Sequence, residues 1–145
     1  MKTKSSAFLG FTLMLLLGFG CNVKKFIPED EYLYTGAKLK LESESKIADF
    51  KEITEEVEDL LRPEPNKKIL GMYIGLWTHY RGSGEKPGFI NRFLYKKLGE
   101  EPVYFSQVNP QETEELILNR LENRGFFYST TSSEVNRKNK FADVE

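Results

Sequence analysis

The spacing of apolar and polar positions predicts a strand followed by a helix in the first half of the chain. Between residues 37 and 42, three apolar residues alternate with three charged ones, and this period of two is typical of a half-buried strand. From Phe50 the apolar positions follow helical spacing, and Asp49 with Glu52 forms a helix start close to a capping box. Pro63 cannot continue a helix, so we expect this helix to end just before it.

Two more helices are predicted in the second half. Apolar residues recur at i, i+3 and i+4 across residues 89–98, and Gly99 stands where the end of a helix favours glycine. Asn109 as the N-cap and Pro110 as the first helical residue form a strong start for another helix, which Gly125 closes. The spacing indicates that each helix buries one face.

The remaining apolar segments have less decisive patterns. Residues 69–80 (ILGMYIGLWTHY) are continuously apolar, which fits either a buried strand or a short irregular packed segment. Residues 126–135 are rich in strand formers, residues 136–139 are a polar turn, and a second strand begins at Phe141. We therefore expect a β-hairpin whose second strand is cut at Glu145. The elements together predict an α+β fold that belongs to a longer protein.

The N-terminus has the pattern of a secretory signal. Lys2 and Lys4 precede thirteen uncharged residues at positions 7–19 (AFLGFTLMLLLGF). This apolar segment is shorter than the roughly 20 residues that a membrane-spanning helix needs. It ends at Gly20-Cys21, and Cys21 is the only cysteine of the chain.

Composition excludes several classes of site. The chain has 145 residues, with 21 basic residues against 22 acidic ones, one cysteine and one histidine. A single cysteine allows no internal disulfide and no multi-cysteine metal site, and a single histidine allows no histidine pair around a metal. The near-neutral charge gives no overall electrostatic basis for binding nucleic acid. Without residues 1–20 the balance becomes 19 basic against 22 acidic residues.

No combination of residues predicts catalysis. One group of carboxylates falls on the polar face of the first helix, where a solvated surface is the better interpretation. These residues are Glu55, Glu56, Glu58 and Asp59. His79 lies among aromatic residues and is more typical of packing than of a base. Residues 81–88 (RGSGEKPG) lack the spacing of a phosphate-binding loop, and Ser129–Ser133 lacks the pattern of a nucleophile elbow. We therefore expect no enzyme, no metal and no cofactor.

Cys21, directly after the apolar segment, resembles the lipobox cysteine of bacterial lipoproteins. Gly20 satisfies the small-residue position, whereas Gly18 stands where the family usually has leucine. The resemblance implies removal of residues 1–20, acylation of Cys21 on its sulfur and usually its amine, and a lipid-anchored tether over residues 21–31. The alternatives are an ordinary signal peptide, or an uncleaved anchor, with an incidental cysteine.

The mature chain resembles a known family in four places. The run NRLENRGFFYSTTSSEV (residues 119–135) is similar to the point where the second helix of a POTRA module turns into its hairpin. Three earlier runs resemble the start of translocation and assembly module lipoproteins (TamL), the lipid-anchored relatives of the TamA and BamA assembly proteins. These runs are KKFIPEDEYLYTGAKLKL (residues 24–41), NKKILGMYIGLW (residues 66–77) and KKLGEEPVYFS (residues 96–106).

The resemblance implies a POTRA-like domain at residues 32–145, with βααββ order and a mixed sheet packed on two or three helices. The segment between the first helix and Asn109 is longer than such a module needs, and the membrane barrel of the family is missing from this chain. The implied partners are outer-membrane lipid through Cys21, and assembly machinery or unfolded outer-membrane clients. Residues 37–42 and 126–145 are the candidate strand edges for binding them.

The implied location is the outer membrane, with the mature chain in the periplasm. Lys24 and Lys25 follow the cysteine, instead of the acidic residues that are associated with surface export in some lipoproteins. The alternative is an unrelated small periplasmic lipoprotein that binds a ligand or stabilises the envelope. A secreted enzyme is a third and more distant hypothesis.

Overall fold

A computed structural model of the chain describes residues 23–145. Within these residues the chain forms four α-helices and three β-strands. In order they are β1 (Leu33–Ala37), α1 (Phe50–Glu58), α2 (Ile74–Gly82), α3 (Phe89–Leu98), α4 (Pro110–Asn123), β2 (Val135–Lys138) and β3 (Phe141–Val144). The expected α+β fold class, with a small mixed sheet and helices, is confirmed.

The described residues divide into two compact units. The helical unit comprises residues 23–25 and Lys67–Glu100, and it contains α2 and α3. The sheet unit comprises Phe26–Asn66 and Glu101–Glu145, and it contains the three strands together with α1 and α4. The segment expected to form one module, residues 32–145, therefore contains the sheet unit from Tyr32 onward and an inserted helical segment.

β3 is the central strand of the sheet unit. β1 runs parallel to one side of β3, with Leu33 opposite Phe141, and β2 runs antiparallel to the other side. The turn between β2 and β3 contains Asn139 and Lys140, whose φ angles are 51° and 70°. Positive φ at both central residues is the conformation that a type I′ hairpin turn requires.

The strand expected at residues 37–42 lies earlier in the chain, so that prediction is wrong in position. β1 contains the buried residues Leu33 and Tyr34 and ends at Ala37. Gly36 adopts a φ of 122° beside a shift in register, so the end of β1 is bulged.

The alternation of apolar and charged residues at positions 37–42 arises because the leucine side chains pack on the core while the charged ones face solvent. Leu39 and Leu41 pack against the core that α1 and α4 form. β3 ends at Val144, whose carbonyl accepts a hydrogen bond from the Lys38 N–H at 2.9 Å. Residues 39–42 belong to no strand, so the period-two pattern here reflects the burial of Leu39 and Leu41 and not strand pairing.

The hairpin is confirmed, but its strands are shorter than expected. β2 begins at Val135, and Glu134 before it still exchanges backbone hydrogen bonds with Glu145. Residues 126–133 form no strand although they are rich in strand formers. Phe127 and Tyr128, two of the strand formers, are 71% and 100% exposed. The turn centres on Asn139–Lys140, at the end of the expected polar turn.

α1 and α4 confirm the two helices that start signals predicted. The Asn109 side chain accepts a hydrogen bond from the Glu112 N–H at 3.3 Å, and Pro110 is the first helical residue. Asp49 precedes α1 but makes no such side-chain bond, so the expected capping box does not form there. The two helices share a core of Ile53, Val57, Ile117 and Leu121.

Residues 69–80 form mainly a helix, so neither structure predicted for them is correct. α2 packs closely on α3, because a Cβ added to Gly82 would lie 2.8 Å from Cγ of Tyr95 and 3.0 Å from the carbonyl oxygen of Asn91. Leu76 of the same helix is fully buried. Continuous apolarity over a short segment does not distinguish a buried helix from a strand, and here tertiary packing decides.

α3 has the predicted bounds, but its apolar face is not covered. Phe89, Ile90 and Phe93 are 85%, 71% and 55% exposed. Gly99 follows the helix as predicted but in an extended conformation, with φ of −62° and ψ of 132°, so it does not use the left-handed conformation for which helix ends favour glycine.

Within the described residues, no helix combines the length and the apolarity that crossing a bilayer requires.

Candidate functional site

The predicted lipid-attachment residue, Cys21, lies outside the residues that the structure describes. Its acylation therefore stays a prediction. The two candidate strand edges lie within the described part of the chain, and their geometry follows from the position of β3.

β1 and β2 carry the outer edges of the sheet, because β3 is paired on both sides. The outer edge of β1 is covered along its first half by the segment Val103–Phe105. The Tyr34 N–H donates to the Val103 carbonyl at 2.9 Å, and the Phe105 N–H donates to the Tyr32 carbonyl at 2.8 Å. This edge is therefore already occupied next to its buried residues.

Asn66 holds the covering segment in place. It is 5% exposed, and its Nδ2 donates to the Glu101 carbonyl at 2.6 Å. Its Oδ1 accepts a hydrogen bond from the Val103 N–H at 2.8 Å. In the sequence, Asn66 stood out only as the first residue of the run at residues 66–77. Asparagine beside proline is a typical source of side-chain bonds to backbone, and this is the signal that could have found it.

β2 has an open outer edge. Glu134 and Glu145 exchange both backbone hydrogen bonds, at 2.8 and 2.9 Å, which sets the alternation of the antiparallel pair. Asn136 and Lys138 therefore direct their backbone groups toward β3, while Val135 and Arg137 direct theirs outward. Outside the β2–β3 ladder, no backbone hydrogen bond among residues 23–145 involves the N–H of Val135 or Arg137. This edge can accept another strand.

Basic side chains lie on β2 and in the turn that follows it. The Arg137 guanidinium lies 5.7 Å from the ring centre of Tyr32 and 5.0 Å from that of Phe105. The Lys140 ammonium donates to the carbonyls of Pro28 and Glu29, both at 2.6 Å. Charged side chains on an edge strand discourage indiscriminate pairing, and they also favour a partner with acidic or polar side chains.

An open groove of about 590 Å³ follows the uncovered half of β1. Its ionic groups are Lys38 and Glu58, and Leu61 and Pro65 form part of its apolar wall. Burial raises the pKa of Tyr34, another lining residue, and the nearby Asp143 carboxylate adds to this effect. The first of the predicted edges, residues 37–42, contributes to this groove and does not form a strand edge.

The carboxylates predicted to be a solvated face are partly engaged in ion pairs. The Arg124 guanidinium contacts Glu52 at 2.9 Å and forms two hydrogen bonds with Glu56, and Arg120 lies 3.6 Å from Glu56. The hydrogen bonds from Arg124 hold the pKa of Glu56 below its ordinary value, and they raise the pKa of Arg124. The cluster joins α1 to the end of α4, which is a structural arrangement.

The other residues considered for catalysis are His79, in the helical unit, and the serines of residues 129–133, in the sheet unit. His79 lies in α2, with its ring centre 5.4 Å from that of Tyr95 and 5.6 Å from that of Tyr80. Ser129 and Ser133 are in the sheet unit, where they bond to the Phe126 carbonyl and to Glu114. Among residues 23–145, no group of three or more histidine, cysteine or carboxylate side chains is arranged to hold a metal ion.

Comparison with protein-family models, with curated proteins and with solved structures finds no match to this chain. The open edge of β2, the covered edge of β1 and the groove are therefore interpreted from their own geometry.

Proposed function

We propose that the chain is a lipid-anchored periplasmic arm of an outer-membrane protein assembly or translocation factor. In this proposal the sheet unit is a POTRA-like module that binds extended protein segments without catalysis. The observation that carries the proposal is the order of elements in the sheet unit. Along the chain they are β1, α1, α4, β2 and β3. This is the βααββ order that the resemblance to POTRA modules implies.

The ends of the inserted segment support this interpretation. In the helical unit, the Lys67 N–H bonds to both carboxylate oxygens of Glu100 at 3.2 Å, so the segment begins and ends at one place. In the sheet unit, the bond from Asn66 to Glu101 joins the two positions where the segment is inserted. Insertions whose ends lie close together are tolerated by a domain that folds around its own core.

The open edge of β2 supplies the binding chemistry. An extended segment placed beside β2 would form hydrogen bonds with the outward backbone groups of Val135 and Arg137. Such bonds involve only the partner's backbone, so they give affinity without requiring one sequence. The segments that become strands in outer-membrane barrels have alternating apolar and polar residues, and such a segment can extend beside an edge of this kind before it folds.

The test is the removal of one backbone donor. Arg137→Pro deletes the outward N–H but leaves the β2–β3 ladder intact, because proline is tolerated on an edge strand. Arg137→Ala is the matched control, since it removes the same guanidinium and keeps the N–H. We expect Arg137→Pro to weaken binding of a fluorescent strand peptide by roughly five- to tenfold relative to Arg137→Ala. Equal affinity of the two variants would contradict the proposed edge.

The anchor is tested separately by metabolic labelling with an acyl-chain probe. We expect label on the wild-type chain and none on Cys21→Ala. Equal labelling of both chains would contradict the anchor. Labelled Cys21 together with no binding of the strand peptide would instead support the alternative, a small periplasmic lipoprotein of another kind.

A further inference from the structure

The face of α3 that points away from α2 consists only of apolar and basic residues. Asn91 and Tyr95 mark the side of α3 that faces α2, because both lie against Gly82. At 100° per residue, the opposite side is a continuous arc of six residues. They are Phe89, Ile90, Phe93, Arg92, Lys96 and Lys97. All six are exposed, and among residues 23–145 no ion pair involves the three cations.

Charge is divided unequally between the two units. The helical unit has nine basic residues and two acidic ones, whereas the sheet unit has ten basic residues and twenty acidic ones. The chain as a whole is almost neutral, so this difference is hidden in its net charge. An anionic surface would therefore attract the helical unit and repel the sheet unit.

Residues 23–25, the first that the structure describes, belong to the helical unit. Val23 is 3% exposed, and residues 23–25 fall in the same compact unit as α3. Cys21 is two residues before Val23. An acyl chain on Cys21 would thus hold this particular unit within a few ångströms of a bilayer surface, since two residues span at most about 7 Å.

From these three observations we infer that α3 lies on the surface of an anionic phospholipid bilayer. Phe89, Ile90 and Phe93 enter the boundary between headgroups and acyl chains, and the neighbouring cations contact lipid phosphates. Aromatic and aliphatic residues combined with lysine and arginine are typical of interfacial helices. Each cation near an anionic membrane adds to the attraction. The inference rests on the proposed function only through the anchor at Cys21.

A bilayer fits this face better than an acidic protein does. Cations alone would be sufficient to bind an acidic partner, whereas Phe89, Ile90 and Phe93 protrude from the same arc and would need a complementary apolar pocket. At a bilayer surface, anionic headgroups lie directly above an apolar layer, whichever way the helix is turned in the membrane plane. The surface can therefore contact both the apolar and the basic residues of α3 without a fitted pocket. A second copy of the chain, joined through its acidic sheet unit, is the competing occupant that the experiment must detect.

The experiment uses residues 21–145 with Cys21→Ser, which keeps every residue of both units and removes the acyl chain. Sedimentation with vesicles of phosphatidylethanolamine and phosphatidylglycerol measures binding, and phosphatidylcholine vesicles are the neutral comparison. We expect binding to the anionic vesicles, weakened by high salt, and at least about tenfold weaker binding to the neutral ones. Equal binding to both compositions, or no binding to either, would overturn the inference.

Two sets of variants locate the contact. Phe89→Ser with Ile90→Ser and Phe93→Ser should reduce binding to anionic vesicles by about tenfold or more. The matched control is Phe127→Ser with Tyr128→Ser, which removes aromatic residues at least as exposed on average from the sheet unit and should leave binding unchanged. Equal loss in both sets, or loss in the control alone, would contradict a contact through α3.

Three further measurements distinguish loss of membrane binding from unfolding, from dimerisation and from failure of the proposed function. Fluorescence of Trp77, the only tryptophan, reports whether the helical unit of each variant is folded. Analytical ultracentrifugation without lipid would reveal a dimer that the α3 variants abolish, and such a dimer without vesicle binding would overturn the inference. Binding of the strand peptide should be unchanged in the α3 variants, so failure here would leave the proposed function standing.

Discussion

The helical unit and the sheet unit contain helices with similar apolar spacing but bury them differently. In the sheet unit, Ile53 and Val57 of α1 are covered by Ile117 and Leu121 of α4. In the helical unit, α3 has the same i, i+3, i+4 pattern, yet its apolar arc faces outward and α2 contacts the opposite side. The comparison shows that an amphipathic pattern predicts a helix without predicting what covers its apolar face.

The largest expected effect is in the core of the helical unit. Leu76→Ala removes a fully buried side chain from a small core and should destabilise that unit by about 2–5 kcal/mol. Amide exchange in α2 and α3 should then accelerate, while β2 and β3 keep their protection. Leu116→Ala, at a half-exposed position of α4, is the control and should change stability little. Loss of protection in both units at once would show that they unfold as one body.

A smaller effect is expected where Asn66 covers the edge of β1. Asn66→Ala leaves the Val103 N–H and the Glu101 carbonyl without their partner, which should cost about 1–3 kcal/mol. The Val103 amide should exchange faster, and the strand peptide should then also bind beside β1. Asn119→Ala, which removes an exposed side-chain bond to Asn123, should do neither. Unchanged exchange at Val103 would contradict the role given to Asn66.

The smallest effect is expected at the ion cluster between α1 and α4. Its contacts are solvent-exposed, so Glu56→Gln should lower the melting temperature only slightly at neutral pH. The folded-state pKa of Glu56 is lowered, so its contribution is present above the ordinary value of 4.5. It should be lost as the pH falls through the folded-state pKa. A difference between wild type and variant that grows on acidification would contradict this assignment.

The sequence predicted a helix start well where the chemistry of the first residues is enough to define it. Asn109 and Pro110 mark the start of α4 because a side-chain acceptor and a residue without N–H suit a helix N-terminus regardless of the rest of the fold. The bounds of α3 follow equally from spacing. The spacing of apolar residues does not predict what covers Phe89, because that depends on a binding partner of α3.

The strands were less predictable because pairing depends on distant residues. β1 pairs with β3 and with Val103–Phe105, and both of these segments are far from β1 in the sequence. The helix at Ile74–Gly82 depends on close packing through Gly82, which no local pattern reveals. The open edge at Arg137 and the covered edge at Tyr34 became distinguishable only once both strands were placed on β3.

Residue-resolved amide exchange tests the proposed division of roles most directly. The same unacylated chain is measured alone, with anionic vesicles, and with the strand peptide. We predict that vesicles slow exchange within α3 and leave β2 unchanged, and that the peptide protects the amides of Val135 and Arg137 and leaves α3 unchanged. Protection of the same unit by both additions, or of neither unit by either, would contradict the account.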